Sequence, residues 1–170
     1  VEAPYQLPDK VNASDAWHQE HGCWAIDTVN PNHVNGAISY MQVSTADIVL
    51  AQETRVVDLS IIGGCSNSAK RAGWKLAITP AFVTDADGIS AGVEVAVHSF
   101  YGLEPKELSS LPEKARSRIG SGHVGIMCRG GVHVLSVYMY CSQGLSKDNL
   151  DLLHYVAGVI RSLVGPWVLG

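Results

Sequence analysis

The sequence predicts an α/β fold in which two packed sheets of mixed, largely antiparallel strands carry helices on the outside. Three observations predict it. Segments 74–78 and 92–97, and again 123–128 and 132–140, read as strand pairs, the first joined through the polar turn 84–88 and the second by Arg129-Gly130-Gly131. Ile48-Val49-Leu50-Ala51 is an apolar run of strand length, and its β-branched pair and polar exit favour a buried strand over a helix segment. Helical spacing of apolar residues at 35–43, 66–72 and 146–164 alternates with these strands, so the chain needs layers of both kinds.

Composition sets the frame. With 170 residues, 46% hydrophobic and 16% charged, the chain is long enough for one domain with a sizeable core and is not of disordered type. A net charge of −4 argues against a generally basic coat for nucleic acid, although Lys114, Arg116 and Arg118 gather as either a solvated loop or a strip that tracks phosphates. The four cysteines, Cys23, Cys65, Cys128 and Cys141, form no CxxC pair, so reduced, mostly buried thiols are expected. His18, His21 and Cys23 lie close enough in sequence to offer three zinc ligands, but a fourth ligand and the usual second pair are missing. No apolar run of about eighteen residues is present and no signal peptide is visible, so a soluble, intracellular protein is expected. Val1 in place of Met, and a strand interrupted at Gly170, read as the ends of an excerpt.

Residues 1–21 are polar and punctuated by Pro4 and Pro8, which reads as a leader or linker ahead of a single domain over 22–170. Asn12-Ala13-Ser14 fits a glycosylation pattern by chance. The first strand is expected over 23–30, with Trp24, Ile26 and Thr28 on one side and Ala25 and Val29 on the other, until Pro31 stops the ladder. Asn35 caps a short helix that buries Ala37, Ile38 and Met41. Residues 55–64 are ambiguous, ended by Gly63-Gly64, and a clearer helix over 66–72 stops at Gly73. Ser146 caps the last helix, whose expected buried stripe is Leu150, Leu153, Ala157, Ile160 and Val164, and Gly165-Pro166 stops it.

The 48–51 strand delivers Gln52 and Glu53 to its end, an amide and an anion at a sheet rim where side chains from several strand ends converge on metals and substrates. A lone carboxylate there is commonly just the solvated start of a loop. Asn30 and Asn32 flank Pro31 and suit a turn on their own account. His98, at the end of the 92–97 strand, belongs either at the rim of Glu53 or on the surface.

Taken together, several stretches resemble the endonuclease/exonuclease/phosphatase superfamily in order and spacing. They are a strand ending in Asn30, a short helix, a strand ending in Gln52-Glu53-Thr54, then Arg71-Ala72-Gly73-Trp74, Ser90-Ala91-Gly92-Val93, Ser136-Val137-Tyr138 and Gly165-Pro166-Trp167-Val168-Leu169-Gly170. Within the superfamily the likeness is to the apurinic-type endonuclease domain joined to reverse transcriptase in non-LTR retroelements, and it runs from about Cys23 to Gly170. The resemblance implies part of a DNase I-like, four-layered α/β/β/α sandwich that hydrolyses phosphodiesters with Mg2+, or alternatively Mn2+. It implies Glu53 as metal ligand with Asn32 beside it, Asn30 and Tyr138 as catalytic and substrate-binding groups, and His98 as a further substrate-binding candidate. A phenol such as Tyr138 can donate to a phosphate oxygen as charge builds on it, although a rim aromatic of a β-rich chain needs no such role. DNA is the implied partner of the full-length parent, with nuclear localisation for a retroelement product.

The sequence departs from the superfamily after Tyr138. Its Gly-Asp-Phe-Asn and Ser-Asp-His segments do not occur, and Asp148 and Asp151 fall inside the last helix. Loss of a general base alone costs roughly 10²–10⁴ in rate, so an impaired nuclease is expected. The alternatives are a catalytically dead binding or structural fragment, and a phosphatase of the same superfamily. A missing half would leave a wide apolar sheet face for self-association or for a partner chain to cover.

Overall fold

The computed structural model describes residue 18 and residues 21–126 and 130–170. In chain order the elements are β1 (Ile26–Val29), α1 (Val34–Met41), β2 (Ile48–Gln52), α2 (Leu59–Arg71), β3 (Trp74–Thr79), β4 (Phe82–Val83), β5 (Ile89–Ser90), β6 (Val93–His98), β7 (Gly102–Pro105), α3 (Glu113–Arg116), β8 (Ile119–Ile126), β9 (Gly130–Val137), α4 (Lys147–Arg161) and β10 (Trp167–Leu169). One sheet runs β1-β2-β6-β3 and the other β10-β9-β8-β7, with β4-β5 a separate small hairpin. Among the described strands only β1-β2 and β9-β10 are parallel, and each of these pairs is bridged by a helix, α1 and α4, as a parallel crossover requires. The mixed, largely antiparallel α/β architecture is therefore the one the sequence predicts.

Alternation along the strands sorts residues into layers. Ile48, Leu50, Val95 and Val97 of the first sheet meet Val124, Val132 and Val134 of the second in the central core. Their neighbours Val49, Ala51, Trp74 and Ala96 face the other way, onto Ala37 and Met41 of α1 and Ala69 of α2. Ile119 packs on Ala115, Leu152 and Val156, which places α3 and α4 over the outer face of the second sheet. Each fully buried Val, Ile or Leu contributes about 1.5–3 kcal/mol, and the sheets approach closely because β8 turns Gly120 toward Val93 and Gly122 toward Val95. Both faces of both sheets are thus occupied, and the wide uncovered face expected of a half-sandwich is not found among the described residues. The sheet edges are β1 and β3 in the first sheet and β10 and β7 in the second, and β10 ends near β1, since a Cβ on Gly170 would lie 3.4 Å from Thr28.

Several expectations change in detail. His33, not Asn35, caps α1, its Nδ1 accepting from the Asn35 N–H at 3.2 Å. Asp58 caps α2, and the helix continues straight through Gly63 and Gly64 because burial of Cys65 and Ala69 outweighs the roughly 1 kcal/mol each glycine costs. Ser146 caps α4 as expected, but the buried side is Asn149, Leu152, Val156 and Val159, while Leu150 and Leu153 are 51% and 40% exposed. Asn149 turns the helix: its amide accepts from the Tyr140 N–H (2.8 Å) and donates to the carbonyls of Tyr140 (3.0 Å) and Gly144 (2.6 Å). Arg118 is buried, not a solvated loop residue, and of the described cysteines only Cys65 is buried. The hairpin turn at Arg129, Cys128, the glycosylation-like Asn12 and most of the proposed leader lie outside the described residues. Among those described, no helix is long and apolar enough to cross a membrane.

Candidate active site

The end of β2 is where the backbone leaves ordinary geometry. Glu53 and Arg55 adopt left-handed φ of 59° and 55°, and Asn32 in the facing loop has φ 58°. Such conformations cost on the order of 1 kcal/mol or more for a non-glycine residue and concentrate at functional sites. They persist here because the segment is pinned on both sides: Thr54 and Arg55 donate to the Gly92 and Ala91 carbonyls (3.0 and 3.1 Å), and Val34 donates to the Thr54 carbonyl (3.0 Å). Gly92, itself at φ 82°, permits this crossing, since a Cβ there would sit 2.7 Å from the Thr54 hydroxyl.

The twist aims Glu53 at groups from two other elements. Asn30, just past β1, donates its Nδ2 to Glu53 Oε2 (3.2 Å) while its Oδ1 accepts from the Asn32 N–H (3.2 Å). Asn30 is therefore both a turn former and a Glu53 partner. Arg55 donates to the other carboxylate oxygen at 2.6 Å, and the Tyr138 hydroxyl, just past β9, also interacts with Glu53. Burial of the Glu53 carboxyl opposes its ionisation, but hydrogen bonds from Arg55, Asn30 and Tyr138 prevail and hold its pKa below the ordinary value. The Tyr138 phenol is pushed up to about 12, first by burial, then by the adjacent Glu53 charge and Cys141, so it is a neutral donor near pH 7. Below the rim, Gln52 faces inward between the sheets: its Nε2 lies 3.0 Å from Thr28 Oγ1 and 3.3 Å from Ser136 Oγ, and Ser136 donates to the Ala51 carbonyl at 3.1 Å. The three strands that carry Asn30, Glu53 and Tyr138 are tied together there.

His98 is not at this rim. The antiparallel register pairs Val93 with Gln52 and Val97 with Ile48, which carries His98 to the far end of β2, where it stacks on Trp74 (4.3 Å) and Phe100 (5.2 Å). Five strand residues at about 3.3 Å each separate it from the site. His18 faces Asp47 with Nε2 and Oδ2 3.5 Å apart, and no group of three described His, Cys, Asp or Glu residues is placed to hold a metal ion. Reading the sequence missed Arg55, Arg118 and Cys141. Arg55 and Cys141 had a signal, being two and three residues from Glu53 and Tyr138, whereas Arg118 reaches Tyr138 only through tertiary packing. A cavity of 460 Å³ lies on the side of Arg118 and Tyr140, lined also by Phe82, Ser90, Lys114 and Tyr155, and none of Glu53, Asn30 or Tyr138 lines it.

The fold these residues sit on is shared with solved structures. Neither protein-family models nor curated proteins match the sequence. The Xenopus laevis APE2 catalytic domain matches at TM-score 0.58 and 18% identity, over 85% of this chain and 56% of that one. An AP endonuclease from Archaeoglobus fulgidus matches at TM-score 0.53 and 18% identity, over 81% and 50%. ANGEL2, a 2',3'-cyclic phosphatase, matches at TM-score 0.50 and 10% identity, over 86% and 52%. The chain has a DNase I-like fold and spans about half the length of the chains it resembles.

Proposed function

We propose that this chain carries part of a divalent-metal-dependent phosphodiesterase site that acts on DNA in a longer parent, with nicking of the retroelement type as the specific form. The observation that supports it most is the meeting of Glu53, Asn30 and Tyr138 from three separate strand ends at one twisted rim. The donor set suits Mg2+, which keeps several waters and takes one or two carboxylates together with substrate phosphate. Glu53 is ionised for the purpose, and Glu53 and Asn32 would hold the ion. Bound there, a divalent ion would polarise a phosphoryl oxygen.

The chain's own groups do the remaining work. Asn30 fixes the Glu53 carboxylate. Tyr138, neutral and already directed at the rim, donates to a non-bridging phosphate oxygen as negative charge grows, which favours the transition state over the ground state. Arg55 neutralises Glu53 and can turn toward a phosphate. No Asp-x-Asn that could supply a general base follows Tyr138 in the sequence given, which supports a second reading, a fragment that binds DNA without cutting it.

The test is cleavage of supercoiled plasmid and of a duplex with one abasic site, in Mg2+, Mn2+ or EDTA, alongside DNA binding by fluorescence anisotropy and hydrolysis of a nucleoside 2',3'-cyclic phosphate. Metal-dependent nicking lost in Glu53→Gln is the expected result. DNA binding without nicking supports the second reading, and preference for the cyclic phosphate supports a phosphatase instead. Neither binding nor turnover of any of the three rejects the proposal.

A further inference from the structure

Tyr138 stands one residue beyond the β8–β9 ladder, whose last pair is Ile119 with Val137, so nothing in the sheet itself fixes its direction. The residue opposite is Arg118. Its carbonyl accepts the Tyr138 N–H at 2.9 Å, its Nη1 donates to the Tyr138 carbonyl at 3.4 Å, and its guanidinium carbon lies 5.1 Å from the centre of the Tyr138 ring. The same guanidinium lies 3.6 Å from the Tyr140 ring centre and 5.8 Å from that of Phe82, and Nη2 donates to Ser90 Oγ at 3.1 Å. Arg118 is 3% exposed, and among the described residues no carboxylate forms an ion pair with it. A buried cation without a counter-ion costs several kcal/mol. Ring faces and two oxygen acceptors offset part of that cost, and only a flat, forked cation can lie on Tyr140 while reaching both acceptors. An apolar residue of similar volume would fill the space without the desolvation penalty, so stability alone does not account for an arginine here.

We propose that Arg118 is the positioning residue for Tyr138: it clamps the chain where β9 ends, so that the phenol remains directed at Glu53. Arg118 touches neither metal nor substrate in this role and acts only through Tyr138. The inference rests on Tyr138 being the phosphate donor, and the experiment separates the two ideas. The full chain is labelled with 3-fluorotyrosine, its Tyr138 signal is assigned from Tyr138→Phe, and fluorine NMR spectra are compared for the wild type, Arg118→Met and Arg118→Lys. Both substitutions are expected to shift and broaden the Tyr138 signal, because lysine keeps the charge and loses the fork. In cleavage assays Arg118→Met lowers kcat about 10–100-fold with KM within about 3-fold, yet adds less than about 2-fold to Tyr138→Phe. Should Arg118→Met fail to fold, Ser90→Ala removes only the Nη2 acceptor and gives the same spectral readout. A Tyr138 signal unchanged in the folded variants, or losses that multiply in the double variant, overturns the clamp. If the wild type cuts nothing, the reading of Tyr138 as donor fails while the spectrum still decides the clamp.

Discussion

Two carboxylates bracket β2, and their surroundings differ in kind. Asp47, ahead of the strand, is 1% exposed and accepts from the Tyr101 hydroxyl (2.6 Å) and the Ala25 N–H (3.0 Å), with His18 Nε2 3.5 Å away. Burial, and then the bond to Asp47, raises the Tyr101 phenol well above its ordinary pKa. Glu53, after the strand, has a side chain 15% exposed on left-handed backbone, and its partners are Arg55, Asn30 and Tyr138. Asp47 spends its acceptors on main chain and core groups that join the start of the domain to its body. The groups that hold Glu53 are side chains. What satisfies each carboxylate, not its place at a strand end, separates Asp47 from the role proposed for Glu53.

The comparison is broken most sharply by exchanging the phenotypes. Glu53→Gln is expected to lower metal-dependent cleavage about 10²–10³-fold while changing the free energy of urea unfolding by no more than about 0.5 kcal/mol. Asp47→Ala strands the Tyr101 hydroxyl and the Ala25 N–H in the interior. It should cost about 3 kcal/mol in urea unfolding while the rate per folded molecule is unchanged.

A third carboxylate sharpens the contrast. Glu94, on β6 between β2 and β3, is fully buried with neither oxygen hydrogen-bonded, and burial raises its pKa from 4.5 to about 8. The folded protein keeps a proton that the unfolded chain releases. The contribution of Glu94 to stability is therefore fully present below about pH 4.5 and is lost as pH rises toward about 8, opposite in sign to that of Glu53, whose lowered pKa makes its contribution fade in acid. Thermal melts at pH 5 and 8 should show that slope in the wild type and its loss in Glu94→Leu.

The smallest effect belongs to Arg55, whose side chain is 43% exposed. Arg55→Met removes a competitor worth about 0.2–1 kcal/mol, so half-saturation by Mg2+ in cleavage should tighten by no more than about 5-fold.

How much of this was legible depended on whether the cause was local. Ser146 as a cap, the 48–51 strand and the inward and outward sides of β1 follow from neighbours in sequence, and the structure has them. The meeting of Glu53, Asn30 and Tyr138 was expected only through a resemblance, because strand order decides it. His98 failed on register: an antiparallel neighbour runs away from the end of β2 that it appears to share. The buried side of α4 failed on one amide, since Asn149 answers to the 140–144 loop and not to the apolar periodicity. Burial of Arg118 was hidden because the rings that receive it, Phe82 on one segment and Tyr138 and Tyr140 on another, are distant from it in sequence.

The positive φ at Glu53 has a practical corollary for anyone engineering this protein. Glycine is the residue that backbone prefers, so a screen scored on thermal tolerance alone would be drawn toward replacing Glu53 with it. The sturdier product would have lost the carboxylate. Under the role proposed for Glu53, hardening selected blindly at this position erases the function it was meant to preserve, and a glycine found there in a natural variant marks a copy that no longer needs the carboxylate.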